Sequence, residues 1–226
     1  METQKEFSDL VREDLLVWFC RHYGYSTDGF SSDTLQRVSK HDAKWFLDAL
    51  STETVARDGA SFGADFGAAK EQTIWQGRTT ISPRPLTIWV EPVITIGAAC
   101  RLHTEFEWPK QLIGLQSHEG WAFDIIAHDA LGQPRVAAVV KKTDLEIDHL
   151  IEAMTGYLSQ PPLDEEPTDA KKRNAYRKVV ALRRMRARLF WALGANGSGK
   201  VFRYRPDGES GTSGLEEVGI EALRYE

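Results

Sequence analysis

The sequence predicts an α/β protein of the α+β kind, a mixed central sheet flanked by helices behind an N-terminal helical extension. Three observations carry this expectation. Apolar residues recur at helical spacing in separate segments, 4–22, 41–57, 93–106, 144–158 and 170–189. Short β-branched and aromatic runs bounded by turn residues fill 74–90, 111–116, 121–141 and 189–205. The chain has 226 residues, 42% of them hydrophobic, which suffices for one sizeable core.

In chain order, Phe7, Leu10, Val11, Leu15, Trp18 and Phe19 share a helical face, and Gly24 stops the pattern. A second helix is expected over 41–57, with Ala43, Phe46, Leu47 and Leu50 inward. Residues 58–69 are rich in Gly and Ala, with isolated Phe62 and Phe66, and read as a loop. The β-branched content then rises over 74–90, broken by Pro83 and Pro85, giving one or two strands that end at Leu86–Val90. Glu91 and Pro92 start a mostly apolar helix over 93–106, because the first turn of a helix tolerates the missing proline N–H. Residues 1–90 thus form an extension of helices, loop and strand, and 91–226 form the core, the two making one compact unit.

A strand over 111–116 and a short turn around Gly120 lead into the stretch Trp121–Lys142. Two apolar runs flank residues 129–134, whose Gly132 and Pro134 suit a turn, so the stretch reads as a hairpin. A turn centred between Leu131 and Gly132 sets Asp124 opposite Val139. Alternation then gives Asp124, Val139 and Lys141 one face, and Phe123, Ile125, Val136, Ala138 and Val140 the other. A carboxylate and an ammonium emerge from an apolar sheet, where desolvating a charge costs several kcal/mol on the order-of-magnitude scale.

The segment 144–158 is a helix with Ile147, Leu150, Ile151, Met154 and Leu158 on one face and Asp144 and Glu146 in its first turn, where acids favour the dipole. A Pro-rich acidic connection, 160–168, precedes a long basic helix over 170–189. Residues 189–193 and 200–205 make a closing strand pair. Between them GANGSGK fits the GxxxxGK frame of a phosphate-binding loop. Val201 replaces the Ser or Thr, however, and a strand rather than a helix follows, so the glycines read as a hairpin turn. Residues 207–226 are weakly patterned, suggesting loop and a short helix.

Composition excludes several classes. No apolar run has signal-peptide or membrane-span character, and a cytoplasmic protein without membrane contact is expected. Cys20 and Cys100 are far apart, with neither disulfide-framework nor zinc spacing. His103, His118, His128 and His149 form no spaced cluster, so no metal is assigned to them. The net charge of −5 conceals a polarity, since residues 171–205 hold twelve Lys or Arg and no acid. Such a segment serves either a polyanion or internal pairing with acids such as Asp164, Glu165 and Glu166.

The order helix, three strands, helix, then further helix and strands, with an Asp followed by x-V-x-K on the adjacent strand, resembles the PD-(D/E)xK nuclease superfamily from Glu91 to Arg205. Asp124 matches the Asp and Lys141 the Lys. The resemblance implies a restriction-endonuclease-like core and a nuclease hydrolysing DNA phosphodiester bonds with Mg²⁺ or Mn²⁺. Asp124 would then be a metal ligand, and Lys141 would orient water or stabilise charge in the transition state. Paired carboxylates on adjacent strands bracket a hard divalent ion, but here Val139 stands at the second acidic position and a hydrocarbon ligates nothing. Three accounts stay open: a local change that disables the site, a natural non-catalytic relative, or an acid migrated to Glu91 or Glu105.

The basic helix supplies the second half of the expectation, because phosphate binding needs several cations on one surface. Lys171, Lys172, Arg173, Arg177, Arg183 and Arg184 are its candidates, with DNA the expected partner and RNA the alternative. Trp191, Phe202 and Tyr204 could stack on bases, although their alternation favours the core. The rival to a nuclease is a binding module on the same scaffold, in which the basic helix contacts nucleic acid or an acidic partner and Asp124 pairs with Lys141. A third option is a toxin or defence effector whose N-terminal helices contact a protein partner or a second copy.

Overall fold

A computed structural model describes residues 2–116, 122–206 and 213–226. His118, Trp121 and the expected turn around Gly120 lie outside the described residues.

The N-terminal helix runs as α1 (Glu2–Asp9), a π-helical stretch (Leu10–Leu15) and α2 (Leu16–Tyr23). Phe7, Val11, Leu15 and Phe19, four residues apart, are all buried. Gly24 ends the helix in the left-handed region, φ 69°, and its N–H donates to the Cys20 carbonyl. Short 3₁₀ turns lead to α3 (Lys40–Ser51), which is capped by Ser39: its Oγ accepts the Asp42 N–H at 3.0 Å. The expected second helix therefore stops at Ser51, and β1 (Ala56–Asp58) begins where the helix had been extended to Arg57.

The expected loop 58–69 is partly strand. β2 (Ser61–Gly63) pairs with β1 and with β3 (Glu71–Gln72) in a small antiparallel sheet, because Phe62 is fully buried and anchors it to the core. Its run is too short for alternation to show in sequence. β4 (Ile74–Gln76) and β5 (Leu86–Ile88) form the next hairpin, as the proline breaks suggest.

The helix α4 (Val90–Thr104) is buried from Pro92 to Cys100 and packs along α3. Gly97 permits this approach, since a Cβ there would meet the Trp45 Cβ at 2.9 Å. Beyond α4 lies one six-stranded sheet, ordered β11-β10-β9-β8-β7-β6. Its strands are β6 (Ile113–Leu115), β7 (Ile125–His128), β8 (Pro134–Val140), β9 (Leu189–Leu193), β10 (Gly199–Arg205) and β11 (Gly214–Val218). All pairs are antiparallel except β8 with β9, which are joined by the crossover helices α5 (Asp144–Leu158) and α6 (Ala170–Met185). The basic helix ends short of Leu189 because Arg186 turns left-handed, φ 55°, and its N–H donates back to Leu182 O. The protein is thus mixed α and β, with the sheet between α4 on one side and α5 and α6 on the other.

Hairpin register over Ile125–Ala127 follows the sequence, with Ile125 opposite Ala138 and Ile126 opposite Ala137. A bulge between Ala127 and His128 shifts the pairing beside the turn, where His128 faces Pro134 instead of Arg135. Asp129 makes the turn, its Oδ1 accepting the N–H groups of Leu131 and Gln133, both at 2.9 Å. Ile125, Ala138 and Val140 face the α4 layer, and Val139 the α5 and α6 layer. Phe123 departs from the expected face. β7 begins only at Ile125, and Phe123 joins the α5 and α6 layer with its ring centroid 6.3 Å from that of Phe190.

Two further readings meet the structure at the C-terminal half. GANGSGK is the β9–β10 turn, with Asn196 and Gly197 at φ 60° and 73°, and Lys200 Nζ lies 2.9 Å from Asp148 rather than over a helix N-terminus. Part of the expected terminal loop is instead β11, whose Gly214–Val218 pairs with Val201–Arg205. Its two glutamates hide the alternation that would mark a strand. Among the described residues, no helix is long and apolar enough to cross a membrane.

Candidate functional site

The charges that the sequence singles out meet at the end of the sheet where β8 finishes. Asp124 sits just before β7 and extends the ladder, its N–H donating to Ala138 O at 2.9 Å and its carbonyl accepting Gln116 N–H at 2.8 Å. Its carboxylate turns back to the neighbouring strand, where Oδ2 accepts the Val140 N–H at 2.7 Å. Lys141 follows β8 directly, fixed by its N–H to Leu193 O at 2.8 Å. Its ammonium lies 4.0 Å from Glu91 Oε1, both side chains about a quarter exposed, at 25% and 28%. Lys141 thus pairs with Glu91 and not with Asp124, whose carboxylate is taken by backbone. Glu91 occupies the first turn of α4, a position the helix dipole favours for an acid, and Trp89 Nε1 donates to it at 3.4 Å. Val139 has no exposed surface at all.

Two buried charges join these three, and sequence reading missed both. Glu71 on β3 receives a hydrogen bond from Gln116 Nε2. Burial pushes its carboxyl up to about 7 against that hydrogen bond, and the charges of Asp124 and Glu91 push the same way. Lys178, on the inner face of α6, donates to Ala122 O and stands 5.9 Å from the Phe123 ring centroid. Burial brings its ammonium down to about 8, against the pull of Asp124 and Glu91 and with the push of Lys141. Both residues sit in segments without a motif, Glu71 in a two-residue strand and Lys178 among other cations. The one available signal for Lys178 was its spacing, since it falls with Ala175, Val179 and Leu182 on the apolar face of the helix.

The donor types of Glu71, Glu91 and Asp124 suit a hard divalent cation. Their arrangement does not, because each is engaged with a protein donor and the described residues contain no group of three His, Cys, Asp or Glu placed to hold a metal. Glu105 is remote from the cluster, just past the other end of α4, where Arg101 Nε holds it at 2.8 Å.

The basic helix divides its cations among different tasks. Lys171 and Lys172, in its first turn, line a cleft of about 280 Å³ together with Lys141, Glu91, Glu146 and His149. Arg177 is held by Glu166 through three contacts of 2.8 to 3.1 Å, the internal pairing that the acidic connection allowed. Arg183 reaches the end of α5, where its Nη2 donates to the carbonyls of Tyr157, Leu158 and Gln160 at 3.2, 3.1 and 2.7 Å. Arg173 Nη1 contacts Thr168 O at 3.4 Å, and Arg184 is exposed. Trp191, Phe202 and Tyr204 are buried in the two core layers and present no stacking surface.

No family model, curated protein or solved structure matches the chain.

Proposed function

We propose that the chain is a nucleic-acid-binding module on a restriction-endonuclease-like scaffold, acting without metal-dependent cleavage. One observation carries the reading: Lys141, from the end of β8, and Lys171 and Lys172, from the start of α6, line one cleft. Three ammonium groups from two elements outnumber Glu91 and Glu146 there, and they offer a nucleic-acid backbone several phosphate contacts at once. The scaffold reading is supported by element order: a helix, three antiparallel strands, a helical crossover and a fourth strand parallel to the third. The non-catalytic reading is supported by Val139, which fills a core layer where the resemblance implies an acid, and by the Asp124 carboxylate, which is bonded to backbone.

Titration of labelled duplex DNA, single-stranded DNA and RNA at several salt concentrations tests this. Binding should weaken with salt, and Lys171→Ala with Lys172→Ala should flatten the slope by about 0.9 per lost contact on duplex DNA. Arg177→Ala should leave it nearly unchanged. Binding that ignores salt, or equal effects of all three changes, would remove the cleft from the account.

A second reading, metal-dependent hydrolysis of DNA in Mg²⁺ or Mn²⁺, would require Glu71, Glu91 and Asp124 to leave their present partners, since as placed they do not suit a divalent ion. Cleavage of plasmid or single-stranded DNA by the natural chain, abolished in Glu71→Gln, would establish it over the first.

A further inference from the structure

At the opposite end of the same strands lies a second polar cavity, of about 80 Å³, which the proposed cleft does not use. Four arginines line it from separate parts of the chain: Arg135 at the start of β8, Arg188 just before β9, Arg203 within β10, and Arg224 beyond β11. The framework is fixed. Arg203 pairs in register with Leu189, next to Arg188, and Trp108 Nε1 donates to Leu223 O at 2.6 Å. The Trp108 and Tyr225 rings meet edge to face with centroids 5.0 Å apart.

Four guanidinium groups around so small a space repel one another unless anions intervene. Two acids line the cavity, Asp129 and Glu226. Asp129 already accepts two backbone N–H groups in the hairpin turn, and Glu226 pairs with Arg188 at 3.0 Å. Arg224 is engaged by Glu107. Glu216, opposite Arg203 on β11, is taken by Arg205. Arg135 and Arg203, both half-buried, have no ion-pair partner among the described residues. Four arginines against two lining acids leave the cavity with an excess of positive charge among the described residues, and Arg135 and Arg203 carry it without a paired carboxylate, an excess that an anionic ligand offsets.

We propose that this cavity binds a terminal, dianionic phosphate group, with Arg135 and Arg203 as its principal ligands and Arg188 assisting after release of Glu226. Guanidinium forks match the spacing of phosphate oxygens and engage them in pairs. The volume accommodates a tetrahedral oxyanion, and a larger molecule that carries a terminal phosphate can present it from its end. The exposed Arg188 to Glu226 pair is of the weak kind that an incoming dianion displaces. The phosphate comes either from a free ion or from the end of a nucleic acid.

The test is calorimetric titration of the full chain with inorganic phosphate, and separately with a short oligonucleotide carrying a 5′-phosphate or a 5′-hydroxyl. Phosphate binding should weaken at least tenfold in Arg203→Gln and in Arg135→Gln, and by a smaller factor in Arg203→Lys, which keeps the charge and loses the fork. The pair Lys171→Ala and Lys172→Ala should leave it unchanged, which separates this site from the cleft at the other end of the sheet. Preference for the 5′-phosphorylated strand, lost in Arg203→Gln, identifies a nucleic-acid end as the source, and equal binding of the two strands identifies the free ion. Absence of phosphate binding by the natural chain, or binding undiminished in both glutamine variants with native circular dichroism, overturns the proposal.

Discussion

The Asp124 carboxylate accepts the backbone N–H of Val140 at 2.7 Å, so the acid that the nuclease resemblance marks as a metal ligand closes the ladder between β7 and β8. Val140 is buried, and its N–H has no water to turn to. Asp124→Ala should therefore destabilise the fold by about 1–3 kcal/mol, the cost of an orphaned buried donor. Asp124→Asn retains an acceptor oxygen and should lose less. Urea unfolding of the two variants measures this, and equal stability of Asp124→Ala and the natural chain would count against a structural role.

Val139→Glu restores the acid that the resemblance implies and places it in the layer under α5 and α6. A carboxylate there loses its hydration, and the lost hydrocarbon packing adds to the cost. The variant should be less stable by about 2–4 kcal/mol at neutral pH, with part of the loss recovered as the pH falls and the new acid protonates. Thermal unfolding across pH 4–8 checks the direction. Unchanged stability would mean that the layer already accommodates an acid, reopening the catalytic reading.

How much of this was legible in the sequence depended on whether each residue's neighbours were local. The hairpin register over Ile125–Ala127 could be read because Gly132 and Pro134 announce a turn, whereas the bulge at Ala127 and His128 left no mark in the sequence. The faces of β8 followed from alternation. Phe123 did not, because alternation holds only inside a strand and the strand starts two residues later. The roles of Arg177 and Arg183 look identical in sequence, one more cation on a basic helix. Their difference comes from the acidic connection and the end of α5, which meet the helix only in three dimensions. Glu71 was illegible for the same reason, since its burial is made by Gln116 and the α4 start, both remote in sequence.

Arg183 gives the sharpest contrast between fold and binding. It caps the end of α5, where the last carbonyls of a helix have no partner within it, by donating to three carbonyls at once. Arg183→Met keeps the stem and removes the donors, and should cost about 2–3 kcal/mol of stability. Nucleic-acid affinity of the folded variant should stay within about twofold, since those donors are committed to the fold. Binding measured well below the unfolding temperature separates the two effects.

Glu71 should make the fold sensitive to pH. Its carboxyl is held near 7 in the folded chain by burial, above the ordinary value of 4.5 that it takes when unfolded. The unfolded chain therefore gives up this proton first, and between about 4.5 and 7 the folded form holds more protons than the unfolded one. Rising pH must then favour unfolding across that window, and the contribution of the neutral acid, full below 4.5, is lost by the time the folded group ionises near 7. The interval from 4.5 to about 7 corresponds to roughly 3–4 kcal/mol at most. Glu71→Gln keeps a neutral acceptor for Gln116 and cannot ionise, so it should match the natural chain near pH 4.5 and exceed it in stability at pH 8. Urea unfolding of both chains at the two pH values decides the matter: parallel losses would show that the pH dependence arises from other groups.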